Sequence, residues 1–233
     1  MKRFFGLFLG LLLLNGCTSD KKTAELAEAM KKLDARVAAI EEIIFGAKEK
    51  AQTEAYNVPI DNSPIDGNKD AKIHIVVFSN FQCHYCAKAD TALRELLKDN
   101  DLKDKINIVF KNFPFPQHVQ ARPAAKAALA AREQDKFWEM AKEIFAHQKE
   151  LYDPNFKQEK FAEWAKNIGL NVDAFNKALK DNDKKYDEII NKDMELGEAV
   201  KLGGTPWMLI NGWRLDSPDP ASVKKIIAEK KLQ

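Results

Sequence analysis

Apolar positions change their spacing several times along this chain, and each spacing predicts a different element. Ile73-His74-Ile75-Val76-Val77-Phe78 and Ile106-Asn107-Ile108-Val109-Phe110 are short, β-branched and mostly apolar, which predicts buried strands. Between them Ala92, Leu93, Leu96 and Leu97 recur at helical spacing within Ala87–Lys98. The second strand is expected to end at Phe113-Pro114-Phe115-Pro116. From Val119 to Leu202 the spacing is helical almost throughout. Ala124–Arg132 is alanine-rich; Phe137, Trp138, Ala141, Ile144 and Phe145 form one apolar face, and Phe161, Trp164, Ala165 and Ile168 another, stopped by Gly169. Asp173 is expected to cap a short helix carrying Phe175 and Leu179, and Tyr186–Leu202 to form a last long one. The Gly203-Gly204 break then leads into a strand ending at Ile210. Asn211-Gly212 is a strong hairpin signal joining it to Trp213-Arg214-Leu215. Ser217-Pro218-Asp219-Pro220 ends that strand, and Ser222–Lys231 closes the chain as a helix.

Upstream, Leu26, Met30, Leu33, Val37, Ile40 and Ile44 alternate steps of four and three within a helical pattern from Thr23 to about Gln52. That is a heptad seam, with Met30, Val37 and Ile44 at a and Leu26, Leu33 and Ile40 at d. A stripe this narrow suits a helix that pairs with copies of itself, because a helix lying on its own domain shows a wider apolar face. A solvated stalk or a helix folded back on the body are the alternatives. β-branched residues at a with Leu at d favour a dimer, whereas Ile40 at d favours a trimer; both stay open. Tyr56–Asp70 holds Pro59, Pro64 and Gly67 among Asp, Asn and Ser, and is expected to be an extended linker.

Charge and the N-terminus narrow the setting. Lys2 and Arg3 precede the apolar run Phe4–Leu14, too short for the ~20 residues of a bilayer span and therefore read as an export signal. The chain of 233 residues carries a formal net charge of +2, and without Lys2 and Arg3 its 35 basic residues match its 35 acidic ones. No basic face dominates, so nucleic acid is not an expected partner. The signal ends at Leu14-Asn15-Gly16-Cys17, which resembles the bacterial lipobox. That resemblance implies cleavage before Cys17 and a lipid on its sulfur, holding the protein to a membrane; the alternative is a secreted protein with a free Cys17. Lipidation of Cys17 would leave Cys83 and Cys86 as the only free pair, in a compartment where disulfides persist.

The chemistry is concentrated in Phe81-Gln82-Cys83-His84-Tyr85-Cys86. Preceded by a strand and opening a helix, the two cysteines meet unpaired N–H groups and the positive end of the helix dipole, both of which favour a thiolate. A cysteine so placed drops well below its ordinary pKa of ~8.5 and becomes a nucleophile near neutrality. In a helical turn Cys86 lies beside Cys83, close enough for a disulfide. The same spacing suits half of a zinc site, but no second C-x-x-C and no H-x-x-x-H follows. No metal and no cofactor beyond the redox-active Cys83–Cys86 pair is expected. His118 and His147 have no partner at a ligand spacing and read as ordinary.

Strand, C-x-x-C helix, strand, helices, Thr205-Pro206 strand, hairpin and helix is the order of a thioredoxin fold with an inserted helical domain. With the Phe113-Pro114 strand end, Ala124 to Trp138, and Gly204-Thr205-Pro206, it resembles the DsbA family of exported thiol–disulfide oxidoreductases. The resemblance covers residues 71–233 and implies an α/β fold. Its expected divisions are a signal over 1–16, a lipidated tether over 17–22, an oligomerisation helix over 23–52 and a linker over 53–70. Thioredoxin parts over 71–118 and 203–233 would then flank an insertion over 119–202. It further implies a cis-proline at Pro206 against the disulfide, with Thr205 offering backbone bonds to bound polypeptide. His84-Tyr85 departs from the Pro-His pair of the strongest oxidases, and Tyr85 with Thr205 is similar to the dimeric isomerases DsbC and DsbG. A bare heptad helix ahead of the domain resembles the ScsC group. The implied function is an oligomeric disulfide isomerase with oxidase capacity on the periplasmic side of the bacterial envelope. Its clients would be unfolded or misfolded exported proteins, and its redox partner a membrane protein of DsbB or DsbD type. A monomeric DsbA-type oxidase, or a metal-binding or chaperone module using the cysteines as ligands, are the alternatives.

Overall fold

The computed structural model describes residues 26–37 and 55–233. The chain divides into two compact units, one ending at Ala51 and the other beginning at Gln52. In the first, residues 26–37 form a helix, α1. Leu26, Met30, Leu33 and Val37 are 62%, 52%, 57% and 46% exposed on it, so the described part of the predicted seam is open on this helix. Ile40, Ile44 and Cys17 lie outside the described residues.

The second unit is built on a sheet of five strands in the order β1-β3-β2-β4-β5, comprising β1 (Ile65–Gly67), β2 (Ile73–Ser79), β3 (Ile106–Asn112), β4 (Trp207–Ile210) and β5 (Trp213–Leu215). Strands β2 and β3 run parallel and the other pairs antiparallel. The parallel pair requires a crossover, supplied by helix α2 (His84–Leu96). Apolar layers cover both faces of β2, which explains its unbroken apolar run. Ile73, Ile75 and Val77 join one core with Leu93, Leu96 and Ile108; Val76 and Phe78 join another with Val109, Phe113 and Leu209.

Between β3 and β4 lie α3 (Ala121–Arg132), α4 (Phe137–Ala146), a 3-10 turn over Gln148–Tyr152, α5 (Lys160–Asn167), α6 (Val172–Asp181) and α7 (Asp183–Ala199). Ala124, Ala127, Ala128, Ala130 and Ala131 are fully buried. Their small side chains let α3 run through the middle of this helical layer, touching α4, α5, α6 and α7. Helix α7 also covers the second face of the sheet: Met194 and Leu196 pack on the Val76–Phe78 core. There the buried Lys111 of β3 lies 3.3 Å from Asp193 of α7, whose Oδ2 accepts from Asn112 N and Nδ2, each at 2.9 Å. Burial pushes the Asp193 carboxyl up, against the pull of Lys111 and Asn112.

Several expectations are corrected. The predicted linker contains β1, whose Ile65, Asp66 and Gly67 pair with Val109, Ile108 and Asn107. The cap of α6 is Asn171, which accepts from Ala174 N at 2.9 Å; Asp173 sits in the first turn, where its charge suits the dipole. Helix α8 (Pro220–Lys230) starts before Ser222 because Asp219 caps it, accepting from Ser222 N at 2.9 Å with Pro220 in the first turn. The β4–β5 turn matches the expectation: Asn211 and Gly212 have φ of 44° and 85°, as a type I′ hairpin requires. Gly212 is further constrained because a Cβ there would lie 2.3 Å from the Tyr56 carbonyl oxygen, while Tyr56 N donates to Gly212 O at 2.8 Å. Among the described residues no helix is long and apolar enough to cross a membrane.

Candidate functional site

Strand β2 ends at Ser79, and four residues later the chain enters α2 with Cys83 as the N-cap, extended at φ −87° and ψ 118°. An N-cap side chain ordinarily accepts from the second and third N–H groups of the helix; here those belong to Tyr85 and Cys86. Here the cap residue carries a sulfur in place of the usual Ser or Asp oxygen and makes no side-chain capping bond; Cys86 N donates instead to Cys83 O at 2.9 Å. Cys86, one turn in, is buried while Cys83 is half-buried, and both are unbonded thiols. Cys83 is brought down to about 5, chiefly by the hydrogen bond from the Cys86 thiol and against partial burial, with the Thr205 side chain and the Tyr85 and Cys86 N–H groups adding to it. Burial drives Cys86 strongly upward, and the neighbouring Cys83 sulfur adds to this. The pair is thus split into a thiolate and a proton-holding thiol.

The chain returns to this corner at Thr205-Pro206, just before β4. Their peptide bond is cis, and as a thiol Cys83 donates to the Thr205 carbonyl at 3.2 Å. His84 and Tyr85 are exposed on the outer side of the corner, their rings 6.0 Å apart. Beneath Cys86 a cavity of about 10 Å³ is bounded by Ser79, Asp90, Arg94 and Trp138 among others. Burial pushes the Asp90 carboxyl up, opposed by two Arg94 bonds at 2.8 and 3.1 Å. The structure therefore gathers Cys83, Cys86, Thr205 and Pro206 at one point, with His84 and Tyr85 at its rim. The seam residues Leu26, Met30, Leu33 and Val37 belong to the other unit.

Several residues around the corner escaped the sequence reading. Asn80 N donates to Cys86 Sγ at 3.4 Å. Asn80 Oδ1 accepts from Gln82 N at 2.9 Å, which turns its amide nitrogen toward His118 Nδ1 at 2.8 Å. His118 Nδ1 must then accept, leaving the ring proton on Nε2. His118, which read as ordinary for want of a ligand partner, is thus bonded to the loop that leads into Cys83. The available signal was topological: loops following parallel strands gather at one edge of the sheet, and His118 follows β3 as Cys83 follows β2. Gln148 and Tyr152, from the 3-10 turn, gave no such signal.

A thioredoxin family model matches residues 60–229, and the chain belongs to that family. Among curated relatives, the Na(+)/H(+) antiporter NhaA 3 of Salinispora tropica is 31% identical over 176 residues, which are 75% of this chain and 26% of that protein. The chain thus spans about a quarter of the length of the antiporter relatives it matches. A probable disulfide bond formation protein D of Bacillus anthracis is 31% identical over 171 residues, 72% of this chain and 77% of that protein. The solved structure of BdbD from Bacillus subtilis shares the fold, with a TM-score of 0.64 at 20% identity over 76% of this chain and 96% of that one.

Proposed function

We propose that this protein is a thiol–disulfide oxidoreductase that acts on disulfides of exported proteins, working as an oligomeric isomerase with oxidase capacity. The observation that carries the reading is the geometry of the pair: Cys83 stands half-buried at the N-cap position of α2, 3.2 Å from the Thr205 carbonyl, with Cys86 buried one helical turn on. The family membership and the name of the Bacillus anthracis relative support it.

In the isomerase direction Cys83 S⁻ attacks a client disulfide and expels one client thiolate, forming a mixed disulfide. A client thiolate then attacks that bond and releases Cys83, with no net electron transfer. Cys86 is the escape route: it loses its proton, attacks Cys83 Sγ and frees the client reduced by two electrons. In the oxidase direction a client thiolate attacks Cys83 of the oxidised pair, Cys86 leaves and takes up a proton, and a second client thiolate displaces Cys83. The pair then holds two electrons more, to be removed by a membrane partner of DsbB type; a DsbD-type partner would instead resupply the reduced form.

The half-buried Thr205 and Pro206 beside Cys83 supply the polypeptide-binding edge of this reading, with Tyr85 at the rim. The open seam on α1 supports self-association into a dimer or trimer. A lipid on Cys17 would anchor the assembly on the periplasmic side of the envelope. The test is scrambled and reduced ribonuclease refolded by the full chain, wild type against Cys83→Ala and Cys86→Ala. Cys83→Ala should abolish both activities, and Cys86→Ala should accumulate mixed disulfides on gels run without reductant. Full activity in Cys83→Ala would defeat the proposal.

A further inference from the structure

The three consecutive carbonyls of the reactive corner are all bonded by side chains from one short turn more than sixty residues away. Gln148 Nε2 donates to Phe81 O at 2.6 Å and to Cys83 O at 3.0 Å. The Tyr152 hydroxyl donates to Gln82 O between them. The corner reaches back: Gln82 Nε2 donates to Leu151 O at 2.8 Å, and its Oε1 accepts from Gln120 N at 2.6 Å. Gln148 is buried and Tyr152 half-exposed. The Gln148 bond to Cys83 O is not needed to satisfy that oxygen, which already accepts from Cys86 N at 2.9 Å and Ala87 N at 3.3 Å. A carbonyl has two lone pairs, so a third donor specifies geometry.

We infer that Gln148 and Tyr152 are positioning residues through which the helical layer sets the redox equilibrium of Cys83 and Cys86. They fix the peptide planes of residues 81–83, and hence where Cys83 Sγ stands relative to the N-terminus of α2 and the Cys86 thiol. Loosening the ties lets the sulfur drift from the helix N-terminus and the thiol that stabilise its charge. A less stable thiolate favours the disulfide, so the loosened pair is a weaker oxidant. This rests on the reading of the two cysteines as an exchange pair.

The experiment equilibrates the full chain with glutathione and, separately, follows thiolate absorbance against pH. The exchange is balanced: the Cys83 thiolate and Cys86 thiol, oxidised glutathione and one proton from solvent give protein disulfide and two reduced glutathiones, two electrons and the Cys86 proton leaving the pair. Gln148→Met, which keeps length and removes the donor, should raise the oxidation constant about tenfold, or about 30 mV for two electrons. It should also move the Cys83 titration up by about one pH unit, the same tenfold in acidity. Tyr152→Phe should shift both in the same sense by less, and decides the matter alone if Gln148→Met does not fold. Folded variants whose constant stays within twofold of wild type and whose titration is unmoved overturn the inference. A wild-type pair that never equilibrates with glutathione defeats the exchange reading instead, while the thiolate titration still decides the role of Gln148 and Tyr152.

Discussion

At the scale of single residues, the chemistry turns on the difference between two sulfurs one helical turn apart. With Cys83 brought down to about 5, its alkylation by iodoacetamide should be independent of pH above about 6.5 and fall tenfold per unit below the midpoint. Cys86, pushed up by burial, should stay unmodified throughout; faster labelling of Cys86 would reverse the roles. Because the folded value of Cys83 is depressed, the reduced protein holds fewer protons than its unfolded chain between about 5 and ~8.5. Its stability relative to the oxidised form should therefore rise with pH across that window and be lost as pH falls through about 5, which paired melting curves would show. The placing of Cys83 and Cys86 between strand and helix was legible because it depends on local order, a strand and a spacing; the cis bond at Pro206 was expected from the family resemblance. Gln148, Tyr152 and the amide of Asn80 were not, since their meaning lies in partners 38 to 70 residues away.

Elements assembled from unbroken apolar runs or helical periodicity were readable, and those created by a neighbour were not. Strand β1 holds one large apolar residue, Ile65, beside Asp66 and Gly67, and exists because β3 offers it an edge. Lys111 follows the apolar run Ile106–Phe110, yet β3 continues through it to Asn112; its charge is tolerated because α7 brings Asp193 to 3.3 Å. Removing one member of such a pair strands the other. Asp193→Ala should cost about 3–5 kcal/mol in denaturant unfolding, because Lys111 and both Asn112 donors lose their acceptor. Lys111→Met combined with Asp193→Leu should recover the part owed to the stranded Lys111 charge, while the two Asn112 donors still lack their acceptor. A single variant as stable as wild type would show that the pair does not couple α7 to the sheet.

For the whole molecule, the distinguishing question is what covers Leu26, Met30, Leu33 and Val37. All four are more than 45% exposed on α1, and removing one apolar face per chain acts in every copy of an assembly. Leu26→Asp with Leu33→Asp should dissociate the protein in sedimentation while leaving thiol exchange at Cys83 unchanged. Scrambled-ribonuclease refolding should drop and oxidation of reduced ribonuclease rise, since paired reduced sites are lost and a membrane oxidant gains access. A wild-type monomer, or a dissociated variant with full isomerase activity, would end this account. Tyr56 leaves its mark here too. It is held at the Asn211–Gly212 turn, beside the Ile210 end of β4, whereas Cys83 lies beyond the opposite end, where Phe78 pairs with Trp207. Handle and blade thus sit at opposite poles of one sheet, so a coupling made at Tyr56 would hold this domain by the handle. Coupled to a bead or a sensor surface through that side, the protein would present its reactive sulfur outward as a reusable solid-phase redox reagent.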